Sequence, residues 1–240
     1  MSNDAYTSRA PGTAGLRQPV IDAGLRRYML SVYNYMAVGL GLTGLVAFIA
    51  AASGFYQQIA GTPLIWLVML APLAAVLFLT FRMDRMSFAT AQTVFWVYAA
   101  LMGLSLAGIL LVYTGASVAR VFFISAGTFA AMSLYGYSTG RDLARFGSFL
   151  FMGLIGIVLA SVVNIFVASS TLHFVISVIG VLLFTGLTAY DTQRIKEIYV
   201  SGRAGAEMAK LALMGALTLY LDFINLFVML LQLTGERRGR

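Results

Sequence analysis

The sequence predicts an all-α integral membrane protein with seven transmembrane helices, and three observations carry that prediction. Of its 240 residues, 60% are hydrophobic and only 10% are charged, whereas a soluble domain carries about 25% charged residues. The apolar residues gather into runs of roughly 20, the length a helix needs to cross the hydrocarbon core. The sixteen Lys and Arg fall in short clusters between those runs, the pattern of a polytopic membrane protein. A soluble enzyme, a disordered chain and a nucleic-acid binder are all disfavoured, despite a net charge of +7. With no Cys and one His, disulfides, thiolate sites and multi-histidine metal sites are excluded.

The elements follow in chain order. Residues 1–27 are polar and hold Pro11, Gly12, Gly15 and Pro19, which predicts a disordered cytosolic tail ahead of a membrane domain at 28–240. The first apolar run, Tyr28–Ala52, is too long for a signal peptide and right for a span. Further spans are expected at Leu64–Phe81, Phe88–Tyr113, Val118–Thr139, Phe146–Ala168, Leu172–Tyr190 and Leu211–Leu233. The second is short, and the fourth carries Arg120 near its start, where the side chain can snorkel to the headgroups. Gly61-Thr62-Pro63 and Gly202-Arg203-Ala204-Gly205 supply turns. Lipid admits no open sheet edge, and the alternation of a barrel is absent, so the runs read as helices.

Charge orients them. Arg9, Arg17, Arg26 and Arg27 precede the first span. Arg82 and Arg85 follow the second, Arg141 and Arg145 the fourth, and Arg194, Lys196, Arg203 and Lys210 the sixth. The alternate connections hold neither Lys nor Arg. The positive-inside rule therefore predicts a cytosolic N-terminus and six spans. The seventh run is ambiguous: its length favours spanning, while Arg237, Arg238 and Arg240 after it favour a re-entrant course that keeps them inside.

Two acids do not fit in tails or connections. Asp222 is in the middle of the seventh run and Asp191 ends the sixth. An ionised Asp at the bilayer centre costs about 2.5–3.5 kcal/mol on insertion scales, so such a residue faces a protein interior or a water cavity and marks a functional site by default. Thr218, Asp222, Asn225 and Gln232 share one helical face with Met229, and Thr188 shares a face with Asp191. These residues predict a polar seam between helices. If the two carboxylates meet, they share a proton and titrate as a unit, and they offer hard oxygen ligands suited to Ca²⁺. Two carboxylates give at most four of the six to eight oxygens Ca²⁺ takes, so the site is weak, as befits a permeation path. Arg82 and Arg85, at the cytosolic end of the second helix, are candidates for a pH-breakable ion pair with Asp191. His173 sits beside an uncharged connection and reads as incidental. No phosphate loop, Ser-His-Asp set or Gly-rich nucleotide fingerprint occurs, so no enzyme activity and no tightly bound cofactor are expected. The Gly that precedes the second acid of intramembrane aspartyl proteases is missing before Asp222.

Leu219-Tyr220-Leu221-Asp222-Phe223-Ile224-Asn225-Leu226-Phe227 closely resembles the signature of the Bax inhibitor-1 family, as does Tyr190-Asp191-Thr192-Gln193 with Ile195. The resemblance runs from about residue 25 to the C-terminus, and the polar N-terminal tail resembles bacterial members. It implies seven helices with the last central between two three-helix layers, and a spanning seventh segment. It implies a pH-sensitive Ca²⁺ leak governed by paired aspartates, here Asp191 and Asp222, with protons as regulator and Ca²⁺ as transported ion. An arginine at the end of the second helix can partner the first aspartate in the family. Arg85 is preferred over Arg82 for that role, and the Met-Asp between them departs from a continuous basic run. The bilayer, Ca²⁺ and a possible membrane protein partner are the expected partners, with no nucleic acid, a monomeric chain and a bacterial inner-membrane location. The competing expectation is a membrane-embedded regulator of a protease or stress-response complex.

Overall fold

The computed structural model describes residues 14–199 and 205–239, with side chains from Ala23 onward. Eight α-helices follow in order: α1 (Ala14–Ala52), α2 (Phe55–Ala60), α3 (Leu64–Arg82), α4 (Phe88–Val112), α5 (Gly115–Ser138), α6 (Ala144–Val167), α7 (Ser170–Ile198) and α8 (Ala206–Thr234). All but α2 are long and apolar enough to cross a membrane. Local chemistry sets several starts. The amides of Thr90, Ser117 and Leu172 donate to the side-chain oxygens of Ser87, Thr114 and Ser169, which satisfies donors that a helix start would otherwise leave orphaned. Gly54 closes α1 with φ of 74°, a left-handed conformation that glycine adopts without Cβ strain.

α1, α3 and α4 pack in one run of neighbours and α5, α6 and α7 in another, while α8 packs on α1, α4, α5 and α7. Close approach needs small residues. A Cβ on Gly103 would meet the Thr43 carbonyl oxygen at 2.6 Å, and one on Gly136 would collide with the backbone of Ala189. The Gly136/Gly140 pair therefore packs α5 on α7 within one chain through its first member, since a Cβ on Gly140 meets nothing.

Three expectations shift. Helix begins before Tyr28: residues 23–27 are already in α1, because Leu25 packs on the core and Tyr28 is buried with its ring 5.6 Å from that of Tyr199. Residues 1–13, with Arg9, lie outside the described residues, as do the turn residues 202–204 and Arg240. The connection after the first span holds the short helix α2. The sixth helix does not stop at Tyr190 but runs through Asp191 to Ile198. Polar partners carry it there: Thr192 bonds Ser133 at 2.9 Å, Gln193 accepts from the Leu143 amide and donates to the Arg141 carbonyl, and Lys196 donates to the Tyr137 carbonyl.

The seventh run crosses rather than re-enters. α8 is unbroken over 29 residues, about 44 Å at the usual rise, more than the ~30 Å of hydrocarbon. At its start, Lys210 Nζ donates to the Met86 carbonyl, just before α4. After its end, the Thr114 amide donates to the Glu236 carbonyl and the Arg238 amide to the Val112 carbonyl, just after α4. α8 thus runs the same length and in the same direction as α4. The tail arginines that favoured re-entry are tied down where they are. Arg237 lies 6.0 Å from the Tyr113 ring centroid, Arg238 Nε donates to the Tyr113 carbonyl, and Glu236 forms an ion pair with Arg120 at 2.7 Å.

Candidate functional site

α7 and α8 are antiparallel neighbours, and their shared face holds both intramembrane acids. Asp222 is 4% exposed and belongs to the most buried of the seven spans. Asp191 is partly buried one helix away, and the two carboxyl groups lie within hydrogen-bonding reach of each other. Among the described residues Asp222 Oδ2 has no hydrogen-bond partner. It is one of two buried side-chain polar atoms left so; the other is the hydroxyl of Tyr98.

The acids line a cavity of about 490 Å³ between α6, α7 and α8. Ser148 of α6 and Tyr190 and Arg194 of α7 add polar atoms to it, and Thr218 and Asn225 of α8 complete the expected stripe. Thr218 and Asn225 also bond back to their own helix, at the carbonyls of Met214 and Leu221. A side chain at position 147 would not fit, because a Cβ there would meet the Tyr190 hydroxyl at 2.7 Å. Thr188 does not join the cavity: it is fully buried, and its hydroxyl donates to the Phe184 carbonyl of its own helix.

Neither Arg82 nor Arg85 reaches Asp191. Both are exposed at the end of α3, a helix that packs mainly on α4, and neither lines the cavity. The cation whose field acts on Asp191 is Arg194. It stands three residues further along α7, a spacing that places side chains on neighbouring positions of one helix face. The sequence already places Arg194 and Lys196 just after Asp191 as a nearby basic cluster. Among the described residues no group of three or more His, Cys, Asp or Glu gathers. A cation here would need water or backbone oxygens to complete its shell.

A second polar cluster, which the sequence reading did not find, lies across α8 from the acids. The Tyr220 hydroxyl bonds the Thr43 hydroxyl at 2.6 Å, and Thr43 lies 2.9 Å from the Gly39 carbonyl and 2.8 Å from the Ala99 carbonyl. The Tyr98 ring packs edge-on to Tyr220 with centroids 5.4 Å apart. No periodic signal within one helix points to partners on three helices.

Comparison with known proteins agrees with the motifs. The family model described as inhibitor of apoptosis-promoting Bax1 matches residues 25–239. The uncharacterized protein RP147 of Rickettsia prowazekii is 49% identical over 234 residues, covering 97% of this chain and 98% of that protein. The inner membrane protein YbhL of Escherichia coli is 47% identical over 234 residues, covering 96% and 99%. A protein of Deinococcus radiodurans is 44% identical over 214 residues, covering 89% and 92%. With the match spanning all seven membrane helices and both aspartate motifs, the chain belongs to the Bax inhibitor-1 family.

Proposed function

We infer that the protein is a passive, pH-sensitive calcium leak of the bacterial inner membrane, gated by the Asp191–Asp222 pair and not an enzyme. One observation carries this reading: two carboxyl groups face each other inside a membrane domain, beside a cavity. A hydrogen bond between two carboxyl groups needs one proton between them, and two free carboxylates repel. Proton loss or gain thus changes the contact that joins α7 to α8, and the same oxygens can take up a hard cation in passing. The pair titrates as one unit rather than as two separate residues. The inner-membrane placement is supported by the name of the Escherichia coli relative and by the seven apolar helices.

The test is Ca²⁺ entry into liposomes holding the purified protein, across a pH series, beside Asp222→Asn and Asp191→Asn. Wild-type flux should vary with pH, and each variant should lose that dependence. Unchanged pH-dependent flux in both variants would sink the aspartate gate. No flux above empty liposomes would sink the leak.

A further inference from the structure

Beyond the aspartate cavity, the same face of α8 continues to the other end of the helix. Asp222, Asn225, Met229 and Gln232 follow at steps of three, four and three, which keeps them in line, and Glu236 follows just after the helix ends at Thr234. α7 runs alongside in the opposite direction with matching partners. His173 lines the same cavity as Glu236 and Gln232, Ser177 Oγ bonds Gln232 Oε1 at 3.2 Å, and Gly180 sits under Met229. That second cavity measures about 700 Å³ and lies at the end where the chain after α8 meets Tyr113 and Thr114. It shares no lining residue with the aspartate cavity.

Between the two cavities the polar line is broken at one place. Asn225 and Gln232 stand seven residues apart, about 10 Å along the axis, and Met229 is the member of the line between them. It fills the slot that Gly180 leaves: a Cβ on Gly180 would meet Met229 Cγ and Sδ, each at 2.9 Å. Met229 is partly buried, and on the α7 side the buried Phe184 lines the aspartate cavity one turn from Gly180. Methionine is apolar, unbranched and turns about three bonds, so it blocks a narrow passage yet can swing aside. Apolar constrictions of this kind close a pore by excluding water.

We propose that the α7–α8 seam is the permeation path, that the His173–Glu236 cavity is its second mouth, and that Met229 seated on Gly180 is the constriction between that mouth and the aspartates. The proposal rests on the leak reading for the identity of the ion, and on geometry alone for the path.

The chain has no Cys, so an introduced thiol is the single target of a membrane-impermeant maleimide. In proteoliposomes, Gln232→Cys should be labelled from one side, which identifies the side of the second mouth. From that side, Asn225→Cys should stay unlabelled while Met229 is present and become labelled in the Met229→Ala background. Met229→Leu, which keeps the volume, should leave it unlabelled. Met229→Val gives the same comparison with a smaller excision if the alanine variant does not fold. In parallel, Met229→Ala in the Cys-free chain should raise Ca²⁺ flux several-fold. Labelling of Asn225→Cys that is equal with and without Met229, or absent in both, overturns the constriction. If labelling follows the expected pattern and no variant passes Ca²⁺, the path stands and the calcium reading fails. If Asp222-dependent flux occurs without the labelling pattern, the calcium reading stands and the path fails.

Discussion

α8 carries polar groups on two opposite faces, and the two are built differently. On one face Tyr220 closes a network with Thr43 that ties α1, α4 and α8 together through bonds of 2.6 to 2.9 Å. On the other, Asp222 meets Asp191 beside a cavity. Both groups are almost wholly buried. The first face holds helices in one arrangement because its central hydroxyls have partners. The second holds them through a contact that depends on a proton, and it leaves room for water. Hydrogen-bonded hydroxyls in a buried network hold their helices in one arrangement, although the neighbouring Tyr98 hydroxyl on that face has no partner among the described residues. One helix thus anchors the bundle with one side and offers chemistry with the other.

The largest effect is expected outside α8, at the close approach of α5 to α7. Gly136→Val would drive a side chain into the Ala189 backbone. Overpacking of this kind costs about 1–3 kcal/mol or more, read as a large loss of thermal stability in detergent. Next, Tyr220→Phe should lower stability by about 1 kcal/mol, the net worth of a buried hydrogen bond with a partner left behind, while pH-dependent flux survives. Asp222→Asn should do the reverse. It keeps the shape, removes a buried acid with an unpaired oxygen, and leaves stability equal or higher, while pH dependence disappears. If Tyr220→Phe abolished pH dependence, or Asp222→Asn unfolded the protein, the division of labour between the faces would be wrong. Smaller still, Tyr98→Phe deletes a buried hydroxyl that has no partner, so its melting temperature should match the wild type or exceed it. The smallest effect belongs to Glu236→Gln. The Arg120–Glu236 pair is more than half exposed on both sides, and such pairs contribute at most about 1 kcal/mol. Its melting temperature should hardly move.

The spans were legible in the sequence to within a few residues, because twenty apolar residues leave little choice in lipid. The acid pair was legible too, since Asp222 interrupts an otherwise apolar run. What escaped has physical reasons. α2 is six residues long and contains Gln57 and Gln58, so hydropathy passes over it. The last two turns of α7 carry Asp191, Arg194, Lys196 and Glu197, which look like a helix end until Ser133, Arg141 and Tyr137 are seen supplying partners from other elements. Thr188 shares a flank with Asp191 but points its hydroxyl at its own backbone, a choice that residue spacing does not reveal. Arg82 and Arg85 were nominated from the end of the bilayer they share with Asp191. Depth in the membrane does not fix position around the bundle, and α3 lies against α4. Charge and length pulled the seventh run in opposite directions, and what resolves its course is three-dimensional: Arg237 and Arg238 are held by Tyr113 at the far end of α8 from Lys210.

That last contact has a consequence for biogenesis. The Thr114 amide, the Val112 carbonyl and the Ser117 hydroxyl all wait for partners in residues 236–238, more than a hundred positions away and beyond all seven spans. In the finished fold these groups of the α4–α5 turn find their protein partners only in the segment after α8. They close only when α8 has been threaded through and its far end has emerged beside Tyr113. The strap at 236–238 therefore works as a receipt for completed insertion.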